Sequence, residues 1–443
     1  MITCITNRTR EIFTSFAENI VLRRHMVDTL FSLVCINSFL AGMSFITTLL
    51  IANILGKELF GDYSYAIAVG GYCYTIAFCG LDRSLIRDLV HHPERFDEYT
   101  SASIILRGTM LVLGFLFILG INAMATQVNR LGFIGALIVF IQGVQALNLA
   151  SMYDALDRMK RHAVFLLIER CFYFGSVWTF VWLFRDSLSI PVIAIFMLFS
   201  TFIGLTLQYS YSSFKLYFRI NRNSMMLAIH LLKKNLWVWS AVLATLSFGG
   251  LSKIILKHIS GSNELGDYSV AWQVVPLASI FITQIGRIGN PRLARVLQPA
   301  TSRNKKIRFL LRYTILSTIA GTIIGMPAIL FPGHILQIFR PEYATAAFPL
   351  RIFGGYVIII SLGQVATQYL IAVHKELIYS MVVILSGVLS LFLYHLFIPL
   401  WSATGAALAV FFSHGTAIII YCVTMIYFVI NDSNRKIDLS SPT

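Results

Sequence analysis

Hydrophobic residues along the chain fall into twelve long runs that are separated by short polar stretches. A helix that crosses a bilayer needs about 20 mostly apolar residues, and each run is close to that length. The predicted spans cover residues 30–55, 64–81, 102–126, 132–153, 163–184, 190–211, 235–256, 268–290, 307–331, 345–372, 376–398 and 403–430. The pattern therefore predicts an all-α polytopic membrane protein with about twelve transmembrane helices.

A short phrase occurs twice and relates the two halves of the chain. Residues 54–66 read ILGKELFGDYSYA and residues 259–271 read ISGSNELGDYSVA, with seven of 13 positions identical at an offset of 205. Each copy follows the first span of its own half, and each half contains six spans. Because six is even, both halves enter the membrane from the same side. The sequence therefore predicts two parallel six-helix lobes, related by an axis along the membrane normal.

The predicted organisation is an N-terminal lobe over 1–211, a cytoplasmic linker over 212–234 and a C-terminal lobe over 235–443. All loops are short, which argues against a soluble catalytic domain. Both copies of the phrase are predicted to lie in external turns, away from any substrate. Their turn residues are predicted to be Gly61, Asp62, Gly266 and Asp267.

Lys and Arg are distributed unevenly between the two sides of the predicted membrane. They are concentrated in the two termini and in the loops after the even-numbered spans, whereas the opposite loops hold few, such as Lys57 and Arg340. Positive residues are retained on the cytoplasmic side, so both termini are predicted to be cytoplasmic.

The composition agrees with a protein that is mostly inside a membrane. Its mean hydropathy is +0.75, and charged residues make up 12% of the chain, about half of the usual share in a soluble domain. The net charge of +15 would indicate nucleic acid in a soluble protein. Here the cytoplasmic loops account for most of it, and the remainder can face an anionic lipid. No nucleic-acid partner is expected.

No catalytic or metal-binding motif occurs. The six cysteines form no CxxC or Cys/His pattern, and neither a nucleophile elbow nor HExxH is present. Without a Walker A motif the chain is not itself an ATPase. We expect no enzyme activity, no metal and no cofactor.

Charged residues inside spans are costly and are therefore candidates for a substrate cavity. Snorkelling to the headgroups is the alternative for those near span ends. Glu169 and Arg170 lie about one third of the way into the fifth span and point about 100° apart. The other charged candidates are Arg83, Arg87, Lys253, Lys257, Arg287 and Arg292.

Uncharged polar residues mark equivalent spans of the two halves. Gln142 and Gln145 lie in the fourth span, and Gln364 and Gln368 lie in the tenth. They indicate a polar lumen between the halves, with interhelical hydrogen bonds as the alternative. His395 and His414, in the last two spans, are candidates for proton coupling, although a lone His in a packed bundle is more often structural.

The repeated phrase, with GLDRSLIRDL after its first copy, resembles the polysaccharide transport family, in particular the O-antigen flippase (Wzx-type) branch of the MATE-like flippase superfamily. The matching positions are Leu55, Gly56, Phe60, Gly61, Tyr63, Gly80, Leu81, Arg87, Gly261, Leu265, Gly266, Tyr268, Pro291 and Leu293. The resemblance implies a bacterial inner-membrane flippase that moves undecaprenyl-pyrophosphate-linked oligosaccharide by alternating access, with a basic cavity between two lobes. It also implies other polysaccharide-assembly membrane proteins as partners.

The first span lacks the internal Arg that some relatives carry. The cavity charge is therefore expected from Arg83, Arg170, Lys253 or Arg287. Two rival functions remain open at this point. A MATE-like multidrug or cation antiporter would favour acidic residues in the spans, where Glu169 is nearly alone. A polymerase or ligase of the same pathway is disfavoured by the short loops.

Overall fold

The computed structural model describes residues 2–124, 131–184, 187–212, 222–297 and 302–438. Within these ranges, the side chains of residues 2–31, 33, 34, 83, 287, 288, 291, 294 and 432–438 lie outside the description. The first half contains α1 (Ile2–Phe78), α2 (Asp82–His91), α3 (Phe96–Met124), α4 (Phe133–Val144), α5 (Ala150–Ala155), α6 (Met159–Phe184) and α7 (Ile190–Ser210). The second contains α8 (Arg222–Thr245), α9 (Gly250–Trp272), α10 (Val274–Val296), α11 (Arg303–Leu330), α12 (Pro332–Leu336), α13 (Ala347–Ala372) and α14 (Glu376–Asp438).

Nine stretches among the described residues are long and apolar enough to cross a membrane. Three of them exceed the length of one crossing and contain a residue that leaves helical geometry: Gly56 in α1, Gly261 in α9 and Ser402 in α14. Divided at these breaks, the described stretches give twelve segments, as the hydrophobic pattern predicts. The predicted all-α fold with about twelve membrane helices is confirmed.

The turn glycines of the repeated phrase are Gly56 and Gly261, with φ of 74° and 86°. This is left-handed geometry, which an L side chain rarely adopts. The prediction that Gly61, Asp62, Gly266 and Asp267 are turn residues is wrong, because all four lie inside the helix that follows the turn. A Cβ at Gly61 would overlap the carbonyl oxygen of Ser262, and one at Gly266 would overlap that of Lys57. These glycines instead let the two halves approach backbone to backbone.

The two aspartates of the phrase join the halves at this same end of the bundle, which we call the turn side. Asp267 accepts from Lys57 Nζ at 2.8 Å, and Lys57 follows the turn glycine of the other copy. Asp62 accepts from Ser262 at 2.6 Å and from Lys257 at 2.5 Å. Thr345 donates to Asp267 at 2.6 Å. We call these six residues the turn-side latch.

The buried apolar residues show the same arrangement. One large cluster contains residues of both halves, among them Phe60 and Tyr343, whose rings meet edge to face near the turn side. A second cluster belongs to the first half together with Ala228 and Leu231 of α8. A third belongs to the second half alone. The halves thus share a core at the turn side. Towards the opposite end, which we call the linker side, the core of the first half takes in the start of α8, and the third cluster is separate from it.

Large apolar side chains also cover the outside of the bundle. Phe117, Trp182, Phe202 and Leu385 are each more than 60% exposed. An apolar surface of this extent is not stable in water and is typical of a helix bundle that faces lipid. The chain is therefore a multi-pass integral membrane protein.

Candidate functional site: two cavities

The first cavity has a volume of about 190 Å³ and lies mainly within the first half. Residues of α1, α4, α6 and α7 line it, together with two residues of the second half, Lys253 and Gln273. We call it the N-half cavity and identify it by its polar members Gln142, Gln145, Arg170, Lys253 and Gln273. Two of the proposed charges and both amides of the fourth predicted span thus meet in one place. Tyr63 and Ser64 of the repeated phrase also line this cavity, contrary to the prediction that the phrase lies away from the site.

Arg170 and Lys253 are the charged side chains that line the N-half cavity. Neither is in an ion pair with a carboxylate of the described residues within 4 Å. Two cations held in a membrane interior without such a partner are costly unless an anion joins them. The lining of the cavity thus carries an excess of positive charge.

Glu169 does not share this cavity. It is buried on the adjacent face of α6 and lies against α7, where a Cβ at Gly204 would overlap its carboxylate. Adjacent residues on a helix point about 100° apart, so Arg170 faces the cavity while Glu169 packs between two helices. The cavity lining accordingly contains no acidic residue.

The second cavity has a volume of about 370 Å³ and lies within the second half. The end of α8, α9, α10, α13 and α14 contribute its lining. We call it the C-half cavity and identify it by Trp272, Tyr356, Gln364, Tyr379 and His414. None of its lining residues is Asp, Glu, Lys or Arg. The single polar lumen predicted from the amides is thus divided, with Gln142 and Gln145 in one cavity and Gln364 in the other.

The two candidate histidines differ in surroundings. His414 lines the C-half cavity, where its Nδ1 lies 2.6 Å from the Tyr356 hydroxyl and its ring stacks on Phe248 at 4.4 Å between centroids. His395 is exposed on the outside of α14, and its ring bonds to the carbonyl of Leu391. Of the two, only His414 faces a cavity.

Several other candidates lie away from both cavities. Lys257 is in the turn-side latch, and Gln368 accepts a hydrogen bond from Asn290 at 3.1 Å. Arg87 is exposed and lies 3.7 Å from Asp88, and Arg292 is also exposed. The side chains of Arg83 and Arg287 are outside the described residues. No group of three or more His, Cys, Asp or Glu in the described part could hold a metal ion.

The aromatic lining of the C-half cavity was not predicted from the sequence. Trp272, Tyr356, Tyr379 and Tyr421 come from three helices, and aromatic residues make up 13% of the chain. Against that background no spacing distinguishes a cavity ring from a ring that packs in the core. Gln273 was missed for a related reason, because it stands alone at the junction between α9 and α10.

Comparison with solved structures places this architecture among known transporters. An inward-facing multidrug resistance MATE family transporter of the MOP superfamily superposes with a TM-score of 0.72 at 12% identity, over 91% of this chain and 99% of that one. An outward-facing transporter of the same description gives 0.56 at 13% identity, over 92% and 96%. The lipid II flippase MurJ, in an inward closed conformation, gives 0.66 at 13% identity, over 92% and 93%.

These identities establish the fold alone. The chain therefore has the fold of the MATE/MOP transporters. No curated protein matches the chain significantly by sequence. The model of one sequence family, described as polysaccharide biosynthesis protein, matches residues 26–297, which is more than half of the chain. On this match the chain belongs to the polysaccharide biosynthesis protein family.

Proposed function

We propose that this protein is a flippase that moves an undecaprenyl-pyrophosphate-linked oligosaccharide, such as an O-antigen repeat unit, across the bacterial inner membrane. One observation carries the proposal: Arg170 and Lys253 line a membrane-interior cavity without a carboxylate partner among the described residues. Membership of the polysaccharide family and the fold shared with a lipid II flippase support the same class of cargo.

The physical requirement is the passage of a pyrophosphate through hydrocarbon. An isolated charge is prohibitively costly there unless it is paired. Arg offers a planar fork of donors that matches phosphate oxygens, and Lys adds a compact charge. Gln142, Gln145 and Gln273 add neutral hydrogen-bonding groups around the same cavity. The polyprenyl tail needs no site of this kind, because it can remain in the lipid.

Alternating access also fits the two ends of the bundle. The latch and the shared core hold the halves together at the turn side. Towards the linker side the first half contacts α8, for example through the Lys234–Asp88 ion pair at 2.7 Å, and the third cluster is separate from the first half. The better superposition on an inward-facing MATE transporter than on an outward-facing one supports the same state. With the cytoplasmic termini predicted from Lys and Arg, the latch is the external closure, and it must open for release.

A cation antiporter is the second candidate, since the highest of these TM-scores is to a multidrug transporter. A cationic drug would need a carboxylate in the cavity. The N-half cavity has two cations instead, and Glu169 packs elsewhere. The charge of the site therefore favours an anionic cargo.

Deletion of the gene in a polysaccharide-producing host tests the proposal. We expect the lipid-linked unit to accumulate on the cytoplasmic leaflet. Accumulation of unpolymerised units on the outer leaflet would favour a polymerase and contradict the proposal. Accumulation on neither leaflet, with export intact, would also contradict it.

Complementation of the deletion strain then tests the two cations. Loss of one charge-assisted hydrogen bond corresponds to about 1.5–3 kcal/mol, so Arg170→Ala or Lys253→Ala should each lower export at least about tenfold. Arg170→Lys should restore part of it. Arg312→Ala and Lys305→Ala, at exposed positions, are the matched controls and should export normally.

A further inference from the structure

The C-half cavity occupies the place in the second half that the N-half cavity occupies in the first. The lining of the N-half cavity uses the first, second, fourth, fifth and sixth segments of its half. The C-half cavity is lined by the first and second segments of its own half, through α9 and α10, and by α13 and α14. The two cavities are thus related by the duplication. Both contain aromatic rings and amides, but Arg170 and Lys253 line only the first.

The aromatic groups of the C-half cavity are fixed by contacts among themselves. His414 stacks on Phe248 and bonds to Tyr356. Tyr379 and Tyr421 stack with centroids 5.5 Å apart, and the Tyr421 hydroxyl donates to the carbonyl of Tyr379 at 3.1 Å. Rings held in this way form a preorganised wall, which lowers the cost of ordering the site on binding.

Two hydrogen-bonding groups on this wall remain available. The side-chain amide of Gln364 bonds to no described residue, and its two donors and its acceptor can serve a ligand. A Cβ at Gly286 would lie 3.1 Å from Gln364 Nε2, so the glycine leaves room beside the amide. His414 uses Nδ1 towards Tyr356, and Nε2 has no partner in the described part of the chain.

We propose that the C-half cavity is a carbohydrate subsite, which holds the sugar part of the cargo while the N-half cavity holds its phosphate part. A sugar ring presents C–H faces to aromatic walls and hydroxyl groups to amides and imidazoles. The volume of about 370 Å³ lies within the range of about 300–1,000 Å³ that is usual for small-molecule sites. This assignment rests on the proposed function and adds that each half binds a different part of the cargo.

Other occupants fit the lining less well. A phosphate would find no cation among the lining residues. A polyprenyl chain would bury the Gln364 amide and His414 Nε2 without hydrogen-bond partners, which is unfavourable. An organic cation can bind to aromatic faces, but Phe248 and Tyr379 each have a face covered by a stacking neighbour.

Separate binding of the sugar and phosphate parts can be tested by measuring how three probes bind to the purified full-length protein. The first is the repeat-unit oligosaccharide of the host, freed of lipid and phosphate by mild acid. The second is inorganic pyrophosphate, and the third is tetraethylammonium. Gln364→Leu removes the amide at similar size, and His414→Phe keeps the stacking ring but removes the nitrogens. Gln368→Leu, one turn further along α13 and outside the cavity, is the matched control.

We expect Gln364→Leu to raise the Kd of the oligosaccharide about fivefold, as the loss of a hydrogen bond does, and to leave pyrophosphate binding unchanged. His414→Phe should act in the same direction. Lys253→Gln should weaken pyrophosphate binding alone, and Gln368→Leu should change neither.

Failure of the parent protein to bind the oligosaccharide overturns the subsite. Oligosaccharide binding that neither Gln364→Leu nor His414→Phe changes would also overturn it. Binding of tetraethylammonium instead of the oligosaccharide would have the same consequence. Pyrophosphate binding that depends on Lys253 would then still support the proposed function. If the parent protein binds neither the oligosaccharide nor pyrophosphate, the proposed function is contradicted as well.

Discussion

The two halves use equivalent backbones for different purposes. In both, a membrane helix breaks at a left-handed glycine, Gly56 or Gly261, and both contain a cavity in the same relative place. The first cavity has two cations and three amides beside its aromatic rings, whereas the second has aromatic rings, one amide and no Asp, Glu, Lys or Arg. After a duplication the turn and packing positions are constrained by the backbone, but the cavity positions are free to diverge.

The largest expected difference between the halves concerns the two aspartates of the turn-side latch. Asp267 is 2% exposed and pairs with Lys57, whereas the side chain of Asp62 is 38% exposed. Breaking a buried pair costs about 3–5 kcal/mol. Loss of the Asp62 carboxylate should cost less, because water reaches this side chain and can replace its contact with the buried Lys257. Asp267→Asn should therefore favour opening of the turn side far more than Asp62→Asn.

The readout is a cysteine at a cavity position, Ser64→Cys in a cysteine-free protein, labelled by an impermeant maleimide from outside. Asp267→Asn should accelerate labelling by about two orders of magnitude, and Asp62→Asn by less than tenfold. Equal effects of the two substitutions would contradict the difference expected between the two aspartates.

Two arginines separated by the offset of 205 give the next test. Arg107 is buried, donates to the carbonyl oxygens of Ala146 and Asn148, and lies over the Phe78 ring. Arg312 is exposed. Because two buried carbonyl groups would lose their donor, Arg107→Ala should reduce the free energy of unfolding by about 3 kcal/mol. Arg312→Ala should change it by less than about 0.5 kcal/mol.

Thermal unfolding of the two purified variants in one detergent measures this. A large loss of stability in both variants would mean that Arg312 stabilises the second half as Arg107 stabilises the first. That result would contradict the exposure of Arg312. Retained stability of Arg107→Ala would show that water or another side chain replaces the guanidinium.

The smallest effect concerns the amides of the fourth predicted span. Gln142 lines the N-half cavity and its side chain bonds to no described residue, whereas Gln145 donates to Thr201 at 3.2 Å. Gln142→Leu should raise the Kd of pyrophosphate about fivefold, and Gln145→Leu should raise it less. Isothermal titration of both variants distinguishes an amide that serves the ligand from one that serves the helix packing, and a reversed order would contradict this assignment.

The sequence predicted the scaffold well because a long apolar run is a local signal. It identified Arg170, Lys253, Gln142, Gln145 and Gln364 as candidates because polar groups inside a membrane are conspicuous. It misplaced Gly61 and Gly266, since a glycine for a turn and a glycine for close backbone approach look alike in one dimension.

The sequence also did not show which residues contact each other across the fold. Nothing local separates Lys253, which faces a cavity, from Lys257, which pairs with Asp62 across the halves. The aromatic wall around Gln364 had no signal, because rings that line a cavity and rings that fill a core are the same residues.

The central claim is that the cations of the first half carry an anionic lipid-linked cargo across the bilayer. Reconstitution into liposomes with a fluorescent polyprenyl-pyrophosphate oligosaccharide measures this directly, through the rate at which an impermeant quencher or glycosidase gains access to label from the inner leaflet. The account predicts fast equilibration with the parent protein and a rate near that of protein-free liposomes with the Arg170→Ala, Lys253→Ala double variant. Equal rates for the parent and the double variant, or no rate above the protein-free control, would contradict it.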